Sequence, residues 1–205
     1  RIQPLSHIER VVAALRLRGI DAINFDLMFG LPGQELADLD ATLDETIRLM
    51  PSRIALFGYA HLPDMIPRQR RIDAANLPDA RLRFDQARLG YRRLKAAGYI
   101  PVGFDHFARA DDPLAAAARE GRVNRNFQGF TEDDAPILIG FGASAISKFP
   151  NLIVQNEKKS GPYRDLVGEG RLAAVRGVHV DAREQRRAVH IRDLLAFVTA
   201  KARVS

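Results

Sequence analysis

Ile8, Val11, Val12 and Leu15 recur at i, i+3, i+4 and i+7, which lines one face of a helix with apolar side chains. Gly19 follows as a C-cap, since a residue without a Cβ enters the left-handed turn without strain. Ala22–Met28 then reads as a short buried strand that ends in Phe29-Gly30-Leu31-Pro32-Gly33, a turn by its glycines and proline. Leu36, Leu39, Leu43 and Ile47 define a second amphipathic helix, closed by Pro51. Ile54–Tyr59 is predicted as a strand and Arg81–Ala97 as a helix with Phe84, Ala87, Tyr91 and Leu94 inward. Gly98 caps that helix and Ile100–Asp105 is predicted as another strand.

One stretch of this grammar is used twice. Leu15, Gly19, Ile20, Ile23, Phe25 and Asp26 align with Leu94, Gly98, Tyr99, Val102, Phe104 and Asp105 at a shift of 79. That period is far longer than the roughly 20–50 residues of a solenoid, so the match is one helix–Gly–strand unit deployed twice. Strands alternating with helices predict an α/β fold with a mostly parallel sheet and crossover helices. Ligands gather at the carboxyl ends of such strands. This selects Asp26, Tyr59 to His61, and Asp105 to Arg109.

Beyond Ala110 the texture changes. Asp111–Gly121 reads as a short helix opened by Asp-Asp-Pro, with carboxylates at the positive end of its dipole. Residues 124–131 read as a polar, aromatic loop, and Ile137–Ile146 as a short Gly-punctuated strand whose glycines admit close backbone approach. Gly161–Gly170 reads as a loop, and Asp181-Ala182-Arg183-Glu184 as a capping box opening a helix to about Thr199. A boundary is expected within 157–180, which gives residues 1–156 as the α/β part and 157–205 as the start of a mainly helical domain.

Composition narrows the chemistry. The 205-residue chain has no cysteine, so it has no disulfide and no thiolate with which to hold zinc or an iron–sulfur cluster. Its five histidines are widely spread, and none forms a metal-ligating pair at helical spacing. The net charge of +6 is concentrated late. Of 31 Lys/Arg and 25 Asp/Glu, residues 157–205 hold 11 and 6, leaving 20 and 19 before them. The late basic residues are scattered and poor in aromatics, a pattern unlike a nucleic-acid groove. No apolar run reaches the roughly 18–20 residues of a membrane span, and no secretory signal is evident.

Several segments then resemble one family. Asn24-Phe25-Asp26-Leu27-Met28-Phe29-Gly30-Leu31-Pro32-Gly33-Gln34, Tyr59-Ala60-His61-Leu62-Pro63 and Gly103-Phe104-Asp105-His106-Phe107-Ala108-Arg109 resemble successive strand ends of the oxygen-independent coproporphyrinogen III oxidases. Asn124-Arg125-Asn126-Phe127-Gln128-Gly129-Phe130-Thr131 and Gly142-Ala143-Ser144-Ala145-Ile146-Ser147 continue the series in order, followed by Gln155-Asn156. The resemblance implies the later part of a radical-SAM partial (β/α) barrel, in a chain that reads as a fragment. The family's Cys-x-x-x-Cys-x-x-Cys motif would lie upstream of residue 1. It implies a cytoplasmic, monomeric parent using S-adenosylmethionine and a 4Fe–4S cluster in haem synthesis, with no nucleic-acid or membrane partner. The implied reaction is oxidative decarboxylation of coproporphyrinogen III to protoporphyrinogen IX.

By the same resemblance Arg1, Asp26, Ala60 and Ile146 contact S-adenosylmethionine. Asp26 suits ribose hydroxyls or an ammonium, and Arg1 suits a carboxylate. Residue chemistry adds substrate candidates, because a macrocycle with four propionates needs cations beside apolar surface. Arg109 and Arg125, near Phe107, Phe127 and Phe130, fit that need, and His106 is a candidate proton donor or carboxylate partner. Each residue also has a plainer reading. Asp26 suits a turn, His106 a hydrogen-bonded structural role, and Arg125 a loop brace. A haem-chaperone relative that binds rather than catalyses, and a scaffold without metal chemistry, remain alternatives.

Overall fold

The computed structural model describes residues 3–127 and 129–196, which form two compact units divided at Arg122/Val123. Each is treated by itself.

In the first unit, α1 (Leu5–Arg16) leads to β1 (Asn24–Phe29), α2 (Leu36–Leu49) and β2 (Arg53–Gly58). After two short 3-10 turns come α3 (Ala80–Ala96), β3 (Ile100–Val102), β4 (His106–Ala108) and α4 (Pro113–Arg119). The sheet order is β1-β2-β4-β3. β1 and β2 are parallel, whereas β4 runs antiparallel to both β2 and β3. The strand expected over 100–105 is therefore a correction. It stops at Val102, turns through 103–105 where Gly103 has φ 63°, and returns as β4.

Alternation along the strands decides the layers. Phe25, Leu27 and Phe29 of β1 are half-buried, while Asn24, Asp26 and Met28 between them are exposed. The apolar side meets α2 and α3 in a core of Leu39, Leu43, Ile54, Leu56, Leu94, Tyr99 and Phe107. Burying such side chains contributes roughly 1.5–3 kcal/mol each. Gly90 lets α3 come close: a Cβ there would stand 2.2 Å from Leu56 Cδ2. The Arg93 guanidinium pairs with Asp40 and Asp44, tying α3 to α2 along their outer side. Asp112 caps α4 by accepting from the Leu114 amide at 2.8 Å, and its carboxylate also takes Arg53 Nε at 3.0 Å.

In the second unit, β5 (Asn124–Arg125) and β6 (Phe130–Thr131) form a two-residue ladder where only a loop was expected. β7 (Ile146–Phe149), β8 (Leu152–Asn156) and β9 (Ala174–His179) form an antiparallel sheet, flanked in sequence by α5 (Ser160–Gly168) and α6 (Ala182–Ala196). Two expectations change here. Residues 137–145 are not a strand: beside the Leu138–Lys148 bridge they reach the sheet by irregular hydrogen bonds, the Gly140 amide donating to Ser147 Oγ at 3.0 Å and the Asn156 amide to the Ala145 carbonyl at 2.9 Å. Ser144 takes φ 64° within this stretch, and Gly140 presses so near the Ile146 carbonyl that a Cβ would lie 2.6 Å from it. The stretch 161–170 is mostly helix, because Pro162 falls in the first turn, where its missing N–H needs no helical partner. β8 and β9 pair across residues 157–173, within this second unit. Asp181 caps α6 by accepting from the Glu184 amide at 2.8 Å, one half of the expected capping box, while the Glu184 carboxylate accepts from Arg187 at 2.9 Å.

Candidate functional site

Register brings residues from three strands into one row. Asp26 is opposite Ala55, and Ala55 is opposite His106. Directly paired residues project to the same side of a sheet, so Asp26, Ala55 and His106 share the face away from the α2–α3 core. Asp26 and His106 stand two strands apart, on the order of 10 Å. Asn24 donates to Asp26 Oδ1 at 2.7 Å, leaving an exposed carboxylate with further acceptor capacity. Of this row only Asp26 is exposed; Ala55 and His106 are buried.

His106 is held tightly. Its Nδ1 lies 2.6 Å from Asp105 Oδ1, and both residues are buried. A carboxylate only accepts, so Nδ1 carries the donated proton and the ring orientation is fixed. Phe57 meets the imidazole edge-on, with centroids 5.8 Å apart. Asp105 itself is placed by its backbone, whose carbonyl accepts from the Leu56 amide at 2.8 Å.

Ala60 is exposed just beyond β2, beside Tyr59, whose hydroxyl lies 3.2 Å from His61 Nδ1. The Ala60 carbonyl accepts from Gln69 Nε2 at 3.0 Å. Arg109 lies elsewhere. Its amide donates to the Ser52 carbonyl, at the start of β2, eight positions before Ala60 and on the order of 25 Å along an extended strand. Its guanidinium is engaged with Asp111, at 3.0 and 3.1 Å, which lowers the Asp111 pKa from its ordinary value chiefly through that hydrogen bond. In the second unit, the exposed Arg125 stacks over Phe130 at 4.8 Å. Ile146 opens β7 opposite Gln155. Arg1 and Gln128 lie outside the described residues.

Sequence reasoning passed over one participant. Arg83 of α3 reaches the end of β2 and donates to the Tyr59 carbonyl at 2.8 Å. Its position among several arginines of a helix gave no signal, because the contact is made 24 residues away in sequence.

No protein-family model matches the chain. Among curated proteins it is 47% identical over 177 residues to an oxygen-independent coproporphyrinogen III oxidase of Bradyrhizobium diazoefficiens. That match covers 86% of this chain and 39% of the relative. A Pseudomonas aeruginosa protein of the same name is 38% identical over 195 residues, covering 95% of this chain and 42% of the relative. Among solved structures, the coproporphyrinogen III oxidase (HemN) of Escherichia coli, described as a radical SAM enzyme, superposes with a TM-score of 0.88 at 37% identity. That superposition covers 96% of this chain and 45% of the other.

The chain is homologous to part of the oxygen-independent coproporphyrinogen III oxidases. It spans about two fifths of the length of the curated relatives it matches. Its α/β architecture is that of the corresponding part of the radical-SAM oxidase, so the expected fold class holds. Among the described residues no group of three or more His, Cys, Asp or Glu side chains is gathered to hold a metal ion. With no cysteine in the chain, a thiolate-held cluster does not fit these residues. Asp26 is an exposed anionic acceptor beside the exposed, apolar Met28, which is the chemistry a ribose hydroxyl or an ammonium requires.

Proposed function

We propose that this chain supplies one wall of the S-adenosylmethionine and porphyrinogen sites of an oxygen-independent coproporphyrinogen III oxidase acting in cytoplasmic haem synthesis. The observation that carries this reading is the Asp26–Ala55–His106 row on the sheet face away from α2 and α3, in a chain that superposes on part of that enzyme. In the parent, the cofactor with its 4Fe–4S cluster supplies a radical that starts the oxidative decarboxylation of two propionates. Asp26 binds ribose hydroxyls or the methionine ammonium, and Ala60 and Ile146 add small or apolar wall and backbone groups. Arg1 remains the proposed carboxylate partner.

On the substrate side, His106 offers the edge of a ring locked by Asp105, suited to a propionate or to a proton transfer. Arg125, stacked on Phe130, presents a cation beside an aromatic surface, the pairing that a propionate-bearing macrocycle needs. We assign Arg109 a bracing role instead, since it faces Asp111 at the opposite end of β2 from Ala60.

Titration with S-adenosylmethionine, followed by backbone NMR shifts, tests the cofactor reading. Weak saturable binding is expected, weakened about tenfold further by Asp26→Ala. Tight binding that ignores Asp26→Ala would count against the assigned site. Anaerobic reconstitution with iron and sulfide should leave no stoichiometric cluster, and finding one would refute the ligand argument.

A further inference from the structure

Arg83 and Gln86 lie three residues apart on α3 and so share one of its faces. Both hold backbone in the segments that follow β1 and β2 rather than other side chains. Arg83 Nη2 donates to the Tyr59 carbonyl at 2.8 Å. Gln86, fully buried, donates from Nε2 to the Gln34 carbonyl at 2.8 Å. Gln34 in turn reaches back to β1, its Nε2 lying 3.3 Å from the Met28 carbonyl.

The guanidinium occupies a space that two glycines leave for it. Gly30 follows β1 and Gly58 ends β2, where Gly58 is paired with Phe29. A Cβ on Gly30 would fall 2.9 Å from Arg83 Nη1, and one on Gly58 would meet Phe29 Cζ at 3.1 Å and Arg83 Nη2 at 3.3 Å. One cation thus lies across the carboxyl ends of two adjacent parallel strands. A planar trans peptide points its C=O and the following N–H in opposite directions. Fixing the Tyr59 carbonyl therefore also fixes where the Ala60 N–H is aimed.

We propose that Arg83 is a positioning residue: it locks the ends of β1 and β2 into one rim and aims the Tyr59–Ala60 peptide at the ligand. This rests on the cofactor reading for the identity of that ligand, S-adenosylmethionine. Arg83 touches no cofactor itself. Its planar fork suits the task because it can span both strand ends at once, which a lysine ammonium does less completely.

The test measures S-adenosylmethionine affinity by NMR titration of the whole chain carrying Arg83→Met, Arg83→Lys or Gly58→Ala. Arg83→Met should weaken binding about tenfold, and Arg83→Lys should recover it to within about threefold of the original. Gly58→Ala should weaken it too, by crowding the guanidinium together with the Phe29 ring while Arg83 is intact, which keeps a readout if Arg83→Met folds poorly. Unchanged affinity in Arg83→Met and Gly58→Ala would overturn the proposal. If the unmodified chain shows no saturable binding, the cofactor reading is what fails. Amide exchange then decides the clamp. Exchange about tenfold faster at both 28–34 and 59–61, with α2 unchanged, supports it, and unchanged exchange there removes it.

Discussion

The unit that runs from Leu15 to Asp26 and its counterpart from Leu94 to Asp105 begin alike and end differently. Both helices close with the same cap. Gly19 takes φ 75° and Gly98 takes φ 89°, and the next amides, of Ile20 and Tyr99, each return 3.1 Å to the carbonyls of Leu15 and Leu94. The environments then diverge. Tyr99 is buried and donates its hydroxyl to the Pro51 carbonyl at 2.7 Å, whereas Ile20 is 47% exposed. The first unit continues as a six-residue strand parallel to β2, with Asp26 on its open face. The second folds back after three residues, which buries Asp105 against His106. A short local code therefore sets the cap, and the following residues set the strand's fate.

The largest break in this comparison should come from the core. Leu94→Ala removes a side chain with no exposure and should cost about 3 kcal/mol, within the 2–5 typical of such deletions. Leu15→Ala, at the half-buried matching position, should cost well under that. Urea denaturation of both variants measures the gap, and equal losses would mean that the units are equivalent after all.

The caps should behave alike. An added Cβ at Gly19 or Gly98 meets nothing within 4 Å, so only backbone strain opposes it. Alanine at either position should cost about 1–2 kcal/mol, the penalty for a left-handed L-residue. A difference beyond about 0.5 kcal/mol between the two would show that the shared cap is only apparent.

Tyr99→Phe should have the smallest effect at neutral pH, about 1 kcal/mol for one lost hydrogen bond. Its pH dependence is more distinctive. Burial raises the Tyr99 pKa above its ordinary 10.0, opposed by the nearby Arg109 and Arg16 charges. The folded state therefore holds the phenol proton more tightly than the unfolded chain. The resulting stability is full below about pH 10 and is lost as pH rises through the folded value. Tyr99→Phe should flatten that alkaline loss. An unchanged alkaline profile would mean that Tyr99 ionises as it does in the unfolded chain.

The parallel pair β1–β2 and the helices behind it were legible because apolar spacing, glycine caps and strand alternation all agree there. Asp26 and His106 were selected by a strand-end rule that the fold does not bear out for them, since Asp26 is the third residue of β1 and His106 the first of β4. The reversal at β4 was not legible. His106-Phe107-Ala108 continues an apolar run in either direction, and only the turn at Gly103 sends it back. β9 escaped notice because Ala174–His179 is exposed throughout and carries no buried face to generate a pattern. α5 escaped because Gly161-Pro162 looks like a loop until the proline is seen in a first turn. Arg83 was illegible in principle, since its role depends on two glycines brought beside it by the fold.

The close seat of Gly90 on Leu56 bears on how such a sequence can change over time. Neither position can vary alone without loss: a side chain at 90 collides with Leu56, while a smaller residue at 56 first opens a void. The double exchange, with bulk moved from the strand to the helix, lies across a valley between two acceptable states. Positions 56 and 90 are thus one heritable unit, and a library that samples them separately will miss the combinations that fold.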